Sequence, residues 1–148
     1  MKIDDKDRQI LNILIRNSRK SYREIAKEAK VSVATVANRI KQLTKTGVIK
    51  GYTTLIDYEL AGYQFYVIVE IRVNHGKEEE VEKQLLNSQN VSRIYDKTGE
   101  YDMALIARFK TRKELDSYLK KLQEIEFVHK TKTSLILDCA KERPIEIS

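Results

Sequence analysis

Residues 32–45 carry short and hydrogen-bonding side chains at helical spacing. The apolar residues Val36, Ile40 and Leu43 fall on one side of a helix with 3.6 residues per turn, so the polar side chains must face the other way. Amides and hydroxyls can bond to the edges of DNA bases, and cationic side chains can bond to phosphates. The candidate DNA-contacting residues are Ser21, Ser32, Ala34, Thr35, Asn38, Arg39, Lys41, Gln42 and Lys45.

Two further helices are predicted to precede and position this segment. The first spans residues 4–16, with Asp4 or Asp5 as its N-cap and an apolar stripe at Ile10, Leu11, Leu14 and Ile15. The second spans residues 21–29 and opens with a capping box, in which Ser21 is followed three residues later by Glu24. Its small residue Ala26 suits a close approach by a neighbouring helix.

The connection Lys30-Val31 is too short to leave the second and third helices collinear, so they must cross steeply. This pattern predicts a helix-turn-helix, and Gly47 is expected to end the third helix. Lys30 occupies the turn position that glycine often fills. Positive φ costs a lysine about 1 kcal/mol, so a turn of another shape is the alternative.

Charge is distributed unevenly along the 148 residues, a length that allows one domain or two small ones. Residues 1–50 contain thirteen Lys and Arg against five Asp and Glu, a net charge of +8, whereas the remainder carries −2. A basic first third indicates that this part of the chain meets a polyanion. The alternative is a lysine-rich surface that only contacts solvent.

The pattern changes after residue 63, and the fold class predicted for the whole chain is α+β. Residues 1–50 form the helix-turn-helix domain, 51–63 a linker strand, and 64–148 a second domain. The second domain has predicted strands at 65–73, 91–98, 102–109 and 127–138, and predicted helices at 76–88, with Val81, Leu85 and Leu86 facing inward, and at 111–125. The order βαββαβ is that of a ferredoxin-like domain.

Helices cover only one face of such a sheet, and the other face is predicted to be apolar. It would carry Tyr66, Ile68, Ile94 or Tyr95, Ile106, and Leu135 or Ile136, depending on strand register. A surface this apolar is rarely left in contact with water. We therefore expect a dimer in which two sheets pack face to face around a two-fold axis.

The chain lacks the common motifs of enzymes and metal proteins. Its five glycines are dispersed rather than gathered in a phosphate loop, and His75 and His129 have no second ligand at metal-binding spacing. Cys139 is the only cysteine, which fits a reducing compartment. The longest apolar run, residues 65–69, is too short to span a membrane. We expect a cytoplasmic protein with no catalytic site, metal or cofactor.

Three stretches together resemble one protein family. They are "DDKDRQILNILIRNSRKSYREIAKEAKVSVATVANRIKQLTKTGVIKGYTTLID", "VSRIYDKTGEYDMALIA" and "VHKTKTSLIL". The residues of these stretches, and the order of the stretches along the chain, resemble those of the leucine-responsive regulatory protein/AsnC family, the feast/famine transcriptional regulators. The resemblance implies a winged-helix-like DNA-binding domain and a ligand-sensing α/β domain. It also implies dimers that often form octamers, and a small effector, commonly an amino acid.

The loop Thr98, Gly99, Glu100, Tyr101 and Asp102 matches the effector loop of that family, whose members bind the effector between dimers. Glu100 or Asp102 could pair with an ammonium group, and backbone N–H groups around Gly99 could hold a carboxylate. Hydroxyls of Thr131 and Thr133, which share one side of the last strand, could complete the site. The alternative is a hairpin turn with solvated acidic residues.

Two other functions are alternatives to DNA-binding regulation. Some proteins that resemble this family are sirohaem decarboxylases, which need histidines and basic residues gathered in the sensing domain; here only His75 and His129 are present. The other candidate is a protein-interaction module without specific DNA binding. Salt dependence separates such a module from a DNA-binding regulator, because contacts to phosphate weaken steeply as salt rises.

Overall fold

The computed structural model describes residues 2–148, which form two compact units. One unit contains the chain up to Leu55 together with Lys141–Ser148, and the other contains Ile56–Ala140. This division differs from the predicted boundaries, because the last eight residues pack with the N-terminal unit. The sequence placed them in the second domain because that domain immediately precedes them.

Three helices form the first unit: α1 (Asp5–Arg16), α2 (Tyr22–Ala29) and α3 (Val33–Lys45). Asp4 is the N-cap of α1, and Ser21 caps α2 with the predicted Glu24 partner. The core contains Ile10, Ile13, Ile25, Val36 and Ile40. Ile13, outside the predicted stripe, is buried, whereas Ile15 is only half-buried. The apolar face of α1 is wider than one stripe because the helix contacts both α2 and α3.

The C-terminal residues lie along one side of α1 and complete this unit. Asn12 pairs with the backbone of Ile147 through two hydrogen bonds, of 2.7 Å from the Ile147 N–H and 3.0 Å to the Ile147 carbonyl oxygen. Arg16 contacts Glu146 at 3.3 Å, and Arg8 donates to the Ser148 carbonyl oxygen at 3.1 Å. Spacing of four residues puts Arg8, Asn12 and Arg16 on one helix face, which explains how all three reach the same segment.

Residues 51–57 contain no strand, so the predicted linker strand is wrong. An extended segment becomes a strand only when a neighbouring strand accepts and donates its backbone hydrogen bonds, and the described part of the chain provides none there. Residues 58–62 form a turn, closed by a 2.8 Å hydrogen bond from the Tyr63 N–H to the Tyr58 carbonyl oxygen.

The second unit has the predicted βαββαβ order. Its elements are β1 (Phe65–Val73), α4 (Glu78–Leu85), β2 (Val91–Asp96), β3 (Met103–Phe109), α5 (Arg112–Gln123) and β4 (Val128–Leu135). The four strands form one antiparallel sheet in the order β2-β3-β1-β4. The ferredoxin-like α+β prediction is confirmed.

Alternate residues of the central strands form the core of this unit. Val67, Val69 and Ile71 of β1 face the helices together with Met103 and Leu105 of β3, and all five are fully buried. Leu86 is 62% exposed, although the sequence predicted it inward. Helix α4 ends at Leu85, and Leu86 lies about 100° around the helix axis from Leu85 and about 140° from Val81.

Strand register decides which residues occupy the sheet face without helices, called here the open face. Tyr66, Ile68 and Ile106 lie on it, as predicted. Ile94 packs into the core, so Tyr95 faces outward in its place. Leu135 pairs with Val67 and therefore points to the helix side, so Ile136 is left for the open face.

Candidate nucleic-acid interface and effector loop

The α2–α3 connection has the geometry of a tight helix-turn-helix. Lys30 adopts the left-handed conformation with φ 52° and ψ 51°, and its N–H group bonds to the Ala26 carbonyl oxygen. The alternative considered from the sequence, a turn in which Lys30 avoids positive φ, is therefore excluded. Lys6 donates to the Ala29 carbonyl oxygen at 3.2 Å, which satisfies a free acceptor at the end of α2. Gly47 ends α3 with φ +76°, as predicted.

Helix α3 buries the three predicted apolar residues, Val36, Ile40 and Leu43, and presents a polar face. Ala34, Asn38 and Gln42 are exposed and lie four residues apart, so they form a straight row along the helix. Lys41 and Lys45, also exposed, form the neighbouring row. Short side chains near the helix start and amides beyond them form a surface that fits a groove with hydrogen-bonding edges.

Arg39 does not extend into solvent as the sequence predicted. Its guanidinium donates to Asp4 at 2.6 Å and to Asp7 at 2.8 Å, which ties α3 to the start of α1. The hydrogen bond from Arg39 is the main reason why the pKa of Asp4 lies below its usual value. Periodicity gave the direction of Arg39 on α3, but it could not show that two carboxylates of another helix lie within reach.

The hydroxyl groups of Ser21, Ser32 and Thr35, which were predicted to contact DNA, form hydrogen bonds at the N-termini of helices. Ser21 accepts from the Glu24 N–H at 3.3 Å, and its own hydroxyl donates to the Glu24 carboxylate at 2.7 Å. Ser32 accepts from the Thr35 N–H at 3.0 Å, and the two hydroxyls are 2.8 Å apart. All three side chains sit at the N-termini of α2 and α3, where backbone N–H groups also favour an anion.

The loop between β2 and β3 closes as a hairpin and is fastened to β1. The Lys97 N–H donates to the Asp102 carbonyl oxygen at 2.8 Å, and the Asp102 N–H donates to the Ile71 carbonyl oxygen at 3.0 Å. One Asp102 carboxylate oxygen accepts from the Val73 N–H at 2.8 Å. This contact gives Asp102 a structural role that the sequence did not reveal.

The other loop residues divide into an exposed tip and a buried ring. Thr98, Gly99 and Glu100 are exposed, and Gly99 has φ +115°, a conformation that favours glycine. Tyr101 is only 6% exposed. The loop thus has exposed backbone at its tip and a largely buried aromatic ring at its base.

The two predicted threonines lie on the other side of the sheet. Thr131 pairs with Ile71 and Thr133 with Val69, which are core residues, so both threonines face the helices. Gln123 of α5 donates to the Thr131 hydroxyl at 3.4 Å. The structure therefore does not join these hydroxyls to the ring of Tyr101. Their shared side was predictable from the two-residue period of a strand, but which face it was depended on register.

Three lysines that sequence reasoning missed surround Tyr101. The ammonium nitrogens of Lys97, Lys130 and Lys132 lie 5.8, 5.6 and 5.9 Å from the ring centroid. The alternation Lys-Thr-Lys at 130–132 could have indicated two cations on one strand face. The position of Lys97 beside them follows only from the folded hairpin.

Among residues 2–148, no cluster of three or more potential ligands among His, Cys, Asp and Glu could hold a metal ion. Within the same part of the chain, every helix is too short or too polar to span a bilayer.

Comparison with known proteins agrees with this geometry. Residues 3–50 match the family model of a winged helix-turn-helix DNA-binding domain, and residues 66–145 match that of the Lrp/AsnC ligand binding domain. An uncharacterized HTH-type transcriptional regulator of Pyrococcus furiosus is 43% identical over 142 residues, which cover 96% of each protein.

Two solved structures share the fold along nearly the whole chain. AsnC of E. coli has a TM-score of 0.91 at 27% identity, covering 99% of this chain and 100% of its own. A transcriptional regulator of Neisseria meningitidis, solved as a complex with L-Met, has a TM-score of 0.91 at 21% identity, with 99% and 97% covered. With the helix-turn-helix, the sensing domain and these matches together, the chain belongs to the Lrp/AsnC family and is a DNA-binding transcriptional regulator of that type.

Proposed function

We propose that this regulator recognises a specific double-stranded DNA sequence through the exposed face of α3. The observation that carries the proposal is the row of Asn38 and Gln42 beside Lys41 and Lys45, in a unit rich in Lys and Arg. Amides read base edges in the major groove, while the two lysines contact phosphates. Arg39 supports the position of α3 rather than reading a base.

The protein acts as a dimer formed through the open face of the sheet. Tyr66, Ile68 and Ile106 give this face an apolar centre, and a second copy is the occupant that provides the same surface in return. A two-fold dimer presents two α3 helices, so the operator is pseudo-palindromic with half-sites one helical turn, or a multiple of it, apart. Dimers assemble further into an octamer, as the family resemblance implies.

A small effector of amino-acid type binds between dimers at the loop of residues 98–102. The free backbone around Gly99 supports this proposal, as does the L-Met complex of the Neisseria meningitidis protein with the same fold. Binding between dimers changes the oligomeric state or the domain arrangement, and thereby the affinity for the operator.

The proposed function requires neither catalysis nor a cofactor. The sirohaem decarboxylase alternative has no observation in its favour, and a visible spectrum of the purified protein tests it directly, since a bound tetrapyrrole would absorb. We place the regulator in the cytoplasm, in accordance with its unpaired, exposed Cys139.

Selection of bound DNA from a random pool tests the proposal, repeated with each amino acid present. We expect one enriched sequence with two-fold symmetry, and at least one amino acid that changes its affinity. A bound pool without enrichment would contradict specific recognition. Affinity that does not change with salt would instead support the protein-interaction module.

A further inference from the structure

We propose that the effector is a small dicarboxylate, with acidic amino acids as the leading class, held by the three lysines around Tyr101. This inference rests on the proposed effector role of the 98–102 loop. It adds the chemical class of the ligand of this chain.

The first step is the convergence of positive charge on one point of the surface. Lys97 lies at the start of the hairpin. Lys130 and Lys132 project from β4 at the hairpin end of the open face, beside Arg72 and Glu70 and outside the apolar centre proposed as the dimer contact. Their ammonium groups all lie within 6 Å of the Tyr101 ring centroid. Three cations beside one aromatic ring make a poor site for a basic ligand, which they repel, and for a purely apolar ligand, which would remove charged groups from water without adding a partner for them.

The second step is the shortage of negative charge around these lysines. Glu70 shares its two carboxylate oxygens between Lys97, at 3.0 Å, and Lys132, at 3.4 Å. Pairing with Lys97, the leading cause, and with Lys132 lowers the pKa of Glu70. Arg72, directly opposite Lys130 in the strand register, adds a fourth cation to this end of the face.

The third step concerns Lys130, which interacts with Tyr101, the leading cause of its raised pKa, and with a carboxylate that is easily displaced. Its ammonium nitrogen is 3.5 Å from Glu100, a loop-tip residue whose side chain is 64% exposed. An exposed ion pair of this kind contributes little free energy, so a ligand carboxylate can replace Glu100. A second carboxylate of the ligand reaches Lys132, which is more than half exposed.

Calorimetric titration of the full chain tests this inference with matched ligands. The probes are L-glutamate and L-aspartate, their neutral amides L-glutamine and L-asparagine, L-lysine, and 2-oxoglutarate as a dicarboxylate without an amine. We expect an acidic probe to bind at least about ten-fold more tightly than its amide, because charge-assisted hydrogen bonds replace neutral ones. Comparing glutamate with 2-oxoglutarate shows whether the ammonium group is also recognised.

Two variants and a control assign the preference to the lysines. In Lys130→Gln with Lys132→Gln, the preference for the acidic probe falls to less than about three-fold, while Lys130→Arg keeps it because the charge stays in place. Lys121→Gln, on the exposed side of α5, is the matched control and leaves binding unchanged. Circular dichroism verifies that each variant is folded.

Each other outcome has a definite meaning. Preferred binding of an amide or of L-lysine overturns the dicarboxylate class but leaves an amino-acid effector in place. Absence of binding by every probe, with operator affinity intact, overturns this inference but not the effector role, which the DNA selection repeated with each amino acid tests separately. Dissociation of the oligomer by the double variant, seen in sedimentation without a change in ligand preference, would overturn the inference and assign the lysines to the contact between subunits.

Discussion

Two single residues of the first unit, Lys30 and Arg39, fix the orientation of α3, on which the proposed DNA binding depends. Lys30 accepts a left-handed conformation so that α2 and α3 can cross after a short turn. Arg39 is half-buried and donates to Asp4 and Asp7. Both residues are cationic and lie near the proposed DNA-binding face, and both make contacts that hold α3 in position.

Replacing Lys30 with glycine should stabilise the protein by about 1 kcal/mol, since glycine takes the left-handed conformation without the steric cost that a side chain carries. The measurement is thermal or urea unfolding. Lys27→Gly is the matched control, because it places glycine within the same helix and should destabilise by about 1 kcal/mol. Equal losses in both variants would show that the strain at Lys30 is negligible.

Arg39→Ala should destabilise the protein by about 1–2 kcal/mol, because it leaves the largely buried Asp7 carboxylate without its charged partner. A double-mutant cycle with Asp7→Ala should give a coupling energy above about 0.5 kcal/mol. The control cycle joins Arg8 and Asp5, an ion pair with a 99% exposed carboxylate, and should show weaker coupling.

The same variant separates positioning from base reading. At temperatures where Arg39→Ala is folded, gel-shift titration should show a weaker affinity for all operators with an unchanged base preference. A loss confined to one base pair of the operator would mean that Arg39 leaves its carboxylates and contacts that base directly.

Acid should weaken the contact between α1 and α3 through Asp4. Its pKa is lowered in the folded protein, chiefly by the hydrogen bond from Arg39, so its contribution to stability is present above the unfolded pKa of about 3.9. This contribution disappears as the pH falls through the lower folded value. Thermal unfolding between pH 2 and pH 6 should therefore show a shallower pH dependence in Asp4→Asn than in the unmodified protein.

At the scale of elements, α3 has two exposed rows with different chemistry. In the proposed function, the row of Ala34, Asn38 and Gln42 faces base edges, while Lys41 and Lys45 contact phosphates. The hairpin between β2 and β3 likewise has two parts, because Asp102 fastens it to β1 while Gly99 and Glu100 stay exposed. In each element, the residues that stabilise its structure are distinct from the exposed residues that can bind DNA or an effector.

The two rows of α3 predict two kinds of binding defect. Asn38→Ala and Gln42→Ala should each cost about 1–3 kcal/mol on the specific operator and little on unrelated DNA. Lys41→Ala and Lys45→Ala should weaken all sequences alike, and each should reduce the salt slope by about one if the lysine neutralises one phosphate. Gel shifts at several salt concentrations measure both quantities. Unchanged operator affinity in both amide variants would remove α3 from the interface.

At the scale of the whole molecule, the open face of the sheet is the surface where we expect a second copy of the chain to pack. Arg108 lies 3.6 Å from the Tyr66 ring centroid and 4.4 Å from that of Tyr58, so the turn at 58–62 partly covers one end of this face. The centre of the face stays apolar around Ile68 and Ile106. The proposed dimer accounts for this distribution.

Ile68→Lys should dissociate the dimer, because a charge at the centre of an apolar interface cannot be paired or solvated. Analytical ultracentrifugation measures the mass, and loss of operator affinity should accompany the change, since one α3 alone contacts a single half-site. Leu86→Lys, an equally drastic change at an exposed site on the helix side, is the control. A dimer that persists in Ile68→Lys would place the subunit contact elsewhere.

The sequence by itself determined the elements and their order, because each is specified by local signals. An N-cap aspartate located the start of α1, a capping box located α2, the three apolar residues fixed the buried side of α3, and two-residue alternation identified the strands. These signals depend on neighbours within one or two turns of the chain, which the sequence always displays. The α+β class followed from them, whereas the Lrp/AsnC family followed from the resemblance of three longer stretches and was confirmed by the comparisons.

Only the tertiary structure decided which distant side chains meet. It paired Arg39 with Asp4 and Asp7, turned Thr131 and Thr133 toward the helices, and brought Lys97 beside the lysines of β4. It also showed that residues 51–57 form no strand and that residues 141–148 pack with the first unit, along α1. Contacts of this kind depend on strand register and helix crossing, and a shift of one residue in register would move every side chain of β4 to the opposite face.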